Sequence, residues 1–212
     1  MSELGSRAFP HQKIELTAAA KKQQAAQLTV ILNKPVGIIS HDDDDRQYPA
    51  AVSLITRENL WDHPTTLAAH RKLPARINTR GLAPAGRLDI DSTGMMVLSQ
   101  DGRIARLLIG EDSTIEKEYL VRVEGKLPAE GLGLLNHGLS LDGQPLKPAK
   151  VSWQNEAQLR FVLREGKKRQ IRRMCELVGL KVTALKRIRM GRIALGNLPL
   201  GQWRALAPWE KF

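Results

Sequence analysis

The first strand-like apolar run lies within "LTVILNK". Its β-branched run from Thr29 to Leu32 has the length and composition of a buried strand, closed by Pro35 and Gly37. Ile38 and Ile39 read as the start of a second strand, and Lys34 stands at the end of the first, where a side chain can face a cleft. The preceding residues, 1–27, are rich in Ala, Gln and Lys without an apolar period, which predicts a flexible tail with order beginning at Leu28.

Downstream the period changes several times. A helix is expected near Ala50 to Glu58, followed by Pro-punctuated basic sequence to Arg80. Met95 to Ser99 reads as a strand, "QDG" as a tight turn and Arg103 to Ile109 as a short helix. "KEYLVRVEG" alternates, placing Tyr119, Val121 and Val123 on one face and Leu120, Arg122 and Glu124 on the other. After the turn "LDGQPLKP", the segments "KVSW", "LRFVLRE", "KVTALKRIRMG" and "QWRALA" read as strands. Strands outnumber helices and alternate irregularly with them. The expected class is α+β, with a mixed, largely antiparallel central sheet, flanking helices and a basic cleft. Residues 28–212 form one domain in this reading, after the tail at 1–27.

The clearest amphipathic segment is Lys167 to Val178, ended by Gly179. Ile171, Met174, Cys175 and Val178 recur at helical spacing, while Lys168, Arg169, Arg172 and Arg173 take the other side. A solvated basic face is the ordinary reading of such a pattern, but helix-spaced acidic partners are missing, since only Glu176 follows the cluster. That favours phosphate contacts.

Charge strengthens this view. The chain holds 33 Lys and Arg against 22 Asp and Glu, a net +11, which favours a polyanionic partner through phosphate neutralisation and counterion release. No apolar run approaches the roughly 20 residues needed to span a bilayer, and the N-terminus lacks the apolar core of a signal peptide. The expectation is a soluble cytoplasmic protein with no membrane partner. One cysteine, Cys175, excludes an internal disulfide and a cysteine-cluster metal site, and its place on the apolar helix face reads as a buried thiol.

Among candidate chemistries, metal and nucleotide sites are weak. His11, His41, His63, His70 and His137 form no ligand-like pair, and no Gly-Lys-Ser/Thr phosphate loop occurs. The run Asp42 to Asp45 lacks the alternate spacing of a calcium loop and reads as a solvated acidic loop. In "AGRLDIDSTGMMVLSQDG", Asp89 sits between a basic residue and a strand. Such an Asp ordinarily caps backbone N–H groups, so alone it decides nothing.

Several segments taken together carry more. "LNKPVGIIS", "GRLDIDSTGMMVLSQDG", "EKEYLVRV", "EGKKRQIRRMCELVG", "LKRIRMG" and "LGQWRAL", in this order over about Leu28 to Ala207, resemble the RsuA-type branch of bacterial ribosomal RNA pseudouridine synthases. The resemblance implies the pseudouridine synthase fold and isomerisation of uridine without cofactor or metal. It puts Asp89 in the place of the family's essential aspartate, Tyr119 in that of its active-site tyrosine, and Arg172 in that of the basic residue paired with the aspartate. Arg87 matches the arginine implicated in filling the space left by the flipped uridine. The expected substrate-binding set is Lys34, Arg87, Lys168, Arg169, Arg173 and Leu185. Ribosomal RNA is the expected partner, with transfer RNA as an alternative. "RQIRRMCE" and "LPLGQWR" resemble members acting on the large subunit, hence on 23S RNA. A monomer is expected. Many members carry a small S4-type RNA-binding module ahead of the catalytic domain. Only about 27 residues precede the first strand here, a departure that bears on RNA docking and not on the chemistry.

That chemistry breaks the N1–C1′ bond, turns the uracil and rejoins it through C5. It needs a nucleophilic carboxylate, acting at C1′ or C6, and a base. A guanidinium within about 4–6 Å favours the charged carboxylate. Taking the uridine out of its stack costs a few kcal/mol, and an aromatic face then holds it. In this reading Tyr119 stacks on the uracil and removes the C5 proton, while Gly86 and Ser92-Thr93-Gly94 let backbone approach the ribose-phosphate. Two other classes compete: a non-catalytic RNA-binding or ribosome-assembly protein, and a metal-dependent nuclease using Asp42 to Asp45.

Overall fold

The computed structural model describes residues 27–41, 47–71 and 73–212, together with Glu15, Thr17 and Ala18. Most of the tail expected over 1–27 and all of Asp42 to Asp45 lie outside the described residues.

The apolar runs become strands for the reason the pattern gives. β1 (Thr29–Lys34) and β3 (Thr93–Ser99) pair antiparallel and are buried on both faces. Val30, Leu32, Met96 and Leu98 point into the larger core, whereas Ile31, Met95 and Val97 point into a second core on the opposite side. Each such side chain contributes about 1.5–3 kcal/mol on full burial. β4 (Lys117–Gly125) keeps the expected alternation, with Tyr119, Val121 and Val123 in the larger core.

The remaining strands are β2 (Ala83–Pro84), the hairpin β5 (Ser140–Leu141) and β6 (Gln144–Pro145), β7 (Lys150–Asn155), β8 (Gln158–Leu163), β9 (Leu180–Met190), β10 (Ile193–Ala194) and β11 (Trp203–Ala205). The main sheet runs β11-β1-β3-β9-β4-β8-β7, with β2 on β3 and β10 on β9. Its ladders are antiparallel except one. β3 and β9 run parallel and meet over only two pairs, Thr93 with Lys186 and Gly94 with Arg187. A Cβ on Gly94 would stand 2.2 Å from the Arg187 carbonyl oxygen, and Gly94 has φ +105°, so only glycine fits this junction. Gly94 thus serves strand packing.

The helices over residues 27–212, among the described residues, are α1 (Leu67–His70), α2 (Gly102–Ile109), α3 (Gly131–Asn136) and α4 (Gln170–Leu177). Asp101 caps α2 by accepting from Arg103 N. α4 buries Ile171, Met174 and Cys175 against the larger core, and burial pushes the Cys175 thiol up to about 12.

Three expectations change. The helix expected at Ala50 to Glu58 is a single 3-10 turn, Ala51–Leu54, because the Leu54 carbonyl accepts from Asn59 Nδ2 and the Thr56 carbonyl from Trp203 Nε1. The segment at Ile38 and Ile39 makes one isolated bridge, Ile39 to Ala50, and no strand. α4 starts three residues later than Lys167, because Arg169 adopts a left-handed conformation (φ 50°) and the Gln170 side chain brackets the turn. Gln170 Oε1 accepts from Lys167 N, and Nε2 donates to Glu165. No helix among the described residues is long and apolar enough to cross a membrane.

Candidate active site

The loop ahead of β3 is tied down from several sides. Ser92 N donates to the Asp89 carbonyl, Gly37 N to the Ile90 carbonyl, and Ser40 Oγ both donates to the Leu88 carbonyl and accepts from Leu88 N. Arg187 adds Nη1 to the Arg87 carbonyl at 3.2 Å. Leu88 is drawn into the larger core, and the Asp89 side chain is left outside the turn. Its carboxylate accepts no hydrogen bond among the described residues, so it is not consumed in capping.

Asp89 opens onto a cavity of about 880 Å³ between this loop, β4, β9 and the segment leading into α4. Tyr119 and Leu185 form part of one wall, with Arg87, Lys168, Arg169 and Arg172 around the loop and the α4 turn. Cations outnumber carboxylates on its lining, so the cavity attracts anionic ligands. Arg169 reaches across because its left-handed backbone turns it off the α4 axis. Its Nη1 lies 3.7 Å from Asp89 Oδ2, and its two terminal nitrogens donate to the Asp91 carboxylate at 3.3 and 3.1 Å. That hydrogen bond raises the Arg169 guanidinium above its ordinary value, with the charges of Asp91 and Asp89 adding to it.

Arg172 takes a different partner from the one expected. Its Nη2 lies 3.1 Å from Asp91 Oδ1 and donates to the Asp91 carbonyl, while Nη1 donates to the Val182 carbonyl of β9. Burial pushes the Asp91 carboxyl up, but the Arg169 hydrogen bond and the charges of Arg172 and Arg169 outweigh it and hold the group below its ordinary value. The carboxylate paired with Arg172 is therefore Asp91, and the guanidinium nearest Asp89 is that of Arg169.

Two more expected site residues lie elsewhere. Lys34 is fully buried beneath the loop, not on the rim, because its ammonium donates to the Pro35 and Ile38 carbonyls at 2.8 Å each. Burial lowers it to about 8, against the opposing pull of Asp91 and Asp89. Arg173 points away from the cavity and forms a two-pronged pair with Asp142, in the β5–β6 turn, at 2.9 and 2.6 Å.

Residues 28–177 match the RNA pseudouridylate synthase family. The chain belongs to that family. Its relatives include the dual-specificity RNA pseudouridine synthase RluF of Salmonella typhi, 34% identical over 181 residues, 85% of this chain and 55% of the relative. Another is the ribosomal large subunit pseudouridine synthase B of Bacillus subtilis (strain 168), 30% identical over 216 residues, 99% of this chain and 80% of the relative. The chain thus spans little more than half the length of the RluF relatives. A crystal structure of a pseudouridylate synthase superposes with a TM-score of 0.68 at 27% identity, covering 85% of this chain and 70% of that one.

Within this member of the RNA pseudouridylate synthase family, residues that sequence reasoning passed over also shape the site. Asp91 is one of them, and its spacing from Asp89 places it at the same loop. Ser40 carried no signal. Lys117 and Arg187 line the cavity, and strand alternation held a clue to Lys117, two residues before Tyr119 on the same face.

Proposed function

We propose that this chain is an RNA pseudouridine synthase that converts a uridine of 23S ribosomal RNA to pseudouridine, with Asp89 as the attacking carboxylate. The observation that carries the reading is the Asp89 carboxylate, free of hydrogen bonds among the described residues and 3.7 Å from Arg169, in a cationic cavity that it shares with Tyr119. The Bacillus subtilis relative is a synthase of the large ribosomal subunit, which supports the choice of RNA.

In this mechanism the phosphates of RNA meet the exposed cations Arg87 and Lys168, and the uridine leaves its stack to enter the cavity. Tyr119 offers its ring face to the uracil. Asp89 attacks C1′ or C6 with Arg169 orienting it, the N1–C1′ bond breaks, and C5 takes the place of N1 on the sugar. The clamps on Leu88, Ile90 and Arg87 hold the loop so that its carboxylate needs little reorganisation.

The test is tritium release from ribosomal RNA labelled with [5-³H]uridine, with pseudouridine mapping of RNA from cells with and without the protein. Asp89→Asn removes the nucleophilic charge with almost no change of volume. It should abolish release while leaving fold and RNA affinity within about twofold. Residual turnover within about tenfold of the wild type sinks the catalytic reading and leaves an RNA-binding protein.

A further inference from the structure

Two buried cations beside Tyr119 make no ion pair with Asp89. Lys117 precedes Tyr119 by two residues on β4 and shares its face, and Arg187 is the cross-strand neighbour of Tyr119 on β9. They are 7% and 2% exposed, and both line the cavity. Arg187 spends Nε on the Met95 carbonyl at 2.7 Å and Nη1 on the Arg87 carbonyl, but its Nη2 is buried without a partner among the described residues. The Lys117 ammonium makes no hydrogen bond or ion pair among the described residues. Burial lowers its ammonium below the ordinary value, and the charges of Arg187 and Lys147 lower it further.

The other face of the same strands shows the contrast. There Glu118 of β4 pairs with Arg160 and with Arg189, and Glu116 pairs with Arg189 as well. Arg160 and Arg189 on that face are matched by carboxylates, and Lys117 and Arg187 on the inner face are not. A buried cation without a counter-charge costs several kcal/mol, and such a cost persists where a ligand repays it. Leu163 and Leu185 flank the pair, so charge placed there acts through a low dielectric.

We propose that Lys117 and Arg187 form an anion-stabilising wall for the uracil ring, donating to its carbonyl oxygens as negative charge builds there during isomerisation. The inference rests on the synthase reading and names what the site does for the base. Breaking N1–C1′ leaves the bonding pair on the ring. C5 then bonds to C1′, the C5 proton passes to water, and N1 takes a proton from water, so no co-reactant is consumed. Between these steps the ring is anionic, and its charge resides largely on the carbonyl oxygens. Attack of Asp89 at C6 also puts charge on a carbonyl oxygen, so the wall serves either route. A phosphate fits less well, because the pair is buried on the sheet beside the Tyr119 ring, whereas Arg87 and Lys168 are exposed and are the cations that the synthase reading gives to the backbone.

Arg187 also clamps the Asp89 loop, so the test rests on Lys117. The variants are Lys117→Met and Lys117→Arg, with Lys117→Gln if the methionine variant does not fold. Single-turnover tritium release from [5-³H]uridine-labelled ribosomal RNA is measured beside RNA affinity over a range of salt. Lys117→Met should lose roughly 100-fold in rate, as for removal of one preorganised donor, with affinity and salt slope unchanged. Lys117→Arg should recover to within about tenfold of the wild type. A fall smaller than about tenfold overturns the proposal. So does a fall residing in affinity, with the slope reduced by about 0.7–0.9, which assigns Lys117 to a phosphate. A wild-type chain that releases no tritium overturns the synthase reading itself, an outcome distinct from the other two.

Discussion

Arg172 closes on Asp91, with 3.1 Å between Nη2 and Oδ1, and leaves the carboxylate two residues earlier to Arg169. Asp91 therefore gathers both guanidiniums at the mouth of α4, and Asp89 stands beside them with its oxygens available. Asp91→Asn keeps the shape and removes the charge that holds Arg169 and Arg172. Turnover should fall by about 10- to 100-fold, less than for Asp89→Asn, with RNA affinity nearly unchanged. Because the Asp91 carboxyl is held below its ordinary value in the folded chain, the stability it contributes is present above the unfolded value of 3.8 and lost as pH falls through the folded one. Acid denaturation of Asp91→Asn should accordingly be shallower than that of the wild type below about pH 4. A variant as active as the wild type would show that Asp91 does not position the arginines.

Lys168 lines the cavity, is exposed, and has no ion-pair partner among the described residues. Lys168→Glu should weaken RNA binding and lower the slope of log affinity against log salt by about 0.7 to 0.9, the amount expected when a single phosphate is no longer neutralised. An unchanged slope assigns the side chain to solvent.

Lys34 gives a signature at alkaline pH. Its ammonium is lowered from 10.5 to about 8, so the folded chain sheds this proton before the unfolded chain does. The stability it contributes is present above 10.5 and is lost as pH falls through about 8. Between those values the unfolding free energy of the wild type should rise relative to Lys34→Met, by up to about 3 kcal/mol. Urea denaturation across that window measures it, and parallel curves would show that the ammonium is not desolvated.

Gly94→Ala should be among the most damaging single-methyl additions. The new Cβ would meet the Arg187 carbonyl at 2.2 Å and its nitrogen at 2.7 Å, at a φ of +105°. A destabilisation of about 3 kcal/mol or more is expected in denaturant unfolding. A value below about 1 kcal/mol would mean that the junction yields easily.

Much of the sheet was legible because its signals are local. The runs at Thr29 and Met95 are apolar on both faces, and the alternation of Tyr119, Val121 and Val123 needs only the pleat. The segment at Ala50 deceived because its helix carbonyls are claimed by Asn59 and Trp203, the second of them far along the chain. At the site, the motif around Asp89 pointed to a carboxylate that does open on the cavity. The partner of Arg172 depended on where one left-handed residue, Arg169, sends the chain, and nothing in the type Arg announces that. Lys34 was misplaced for a similar reason. A strand end can face outward or be roofed by the next loop, and here the Pro35 to Ile38 segment supplies two carbonyls that hold the ammonium inside.

The two-rung parallel contact between β3 and β9 divides the sheet into antiparallel blocks, β11-β1-β3 on one side and β9-β4-β8-β7 on the other. Asp89 enters the first block and Tyr119 belongs to the second, so in the proposed mechanism the distance between them is measured across a joint and not within one ladder. A slight rotation about those two rungs changes the distance from carboxylate to aromatic ring while every ladder within each block stays intact. In the proposed mechanism, catalytic alignment becomes a matter of how two slabs abut, and an RNA that grips both slabs would act as the vice that sets it.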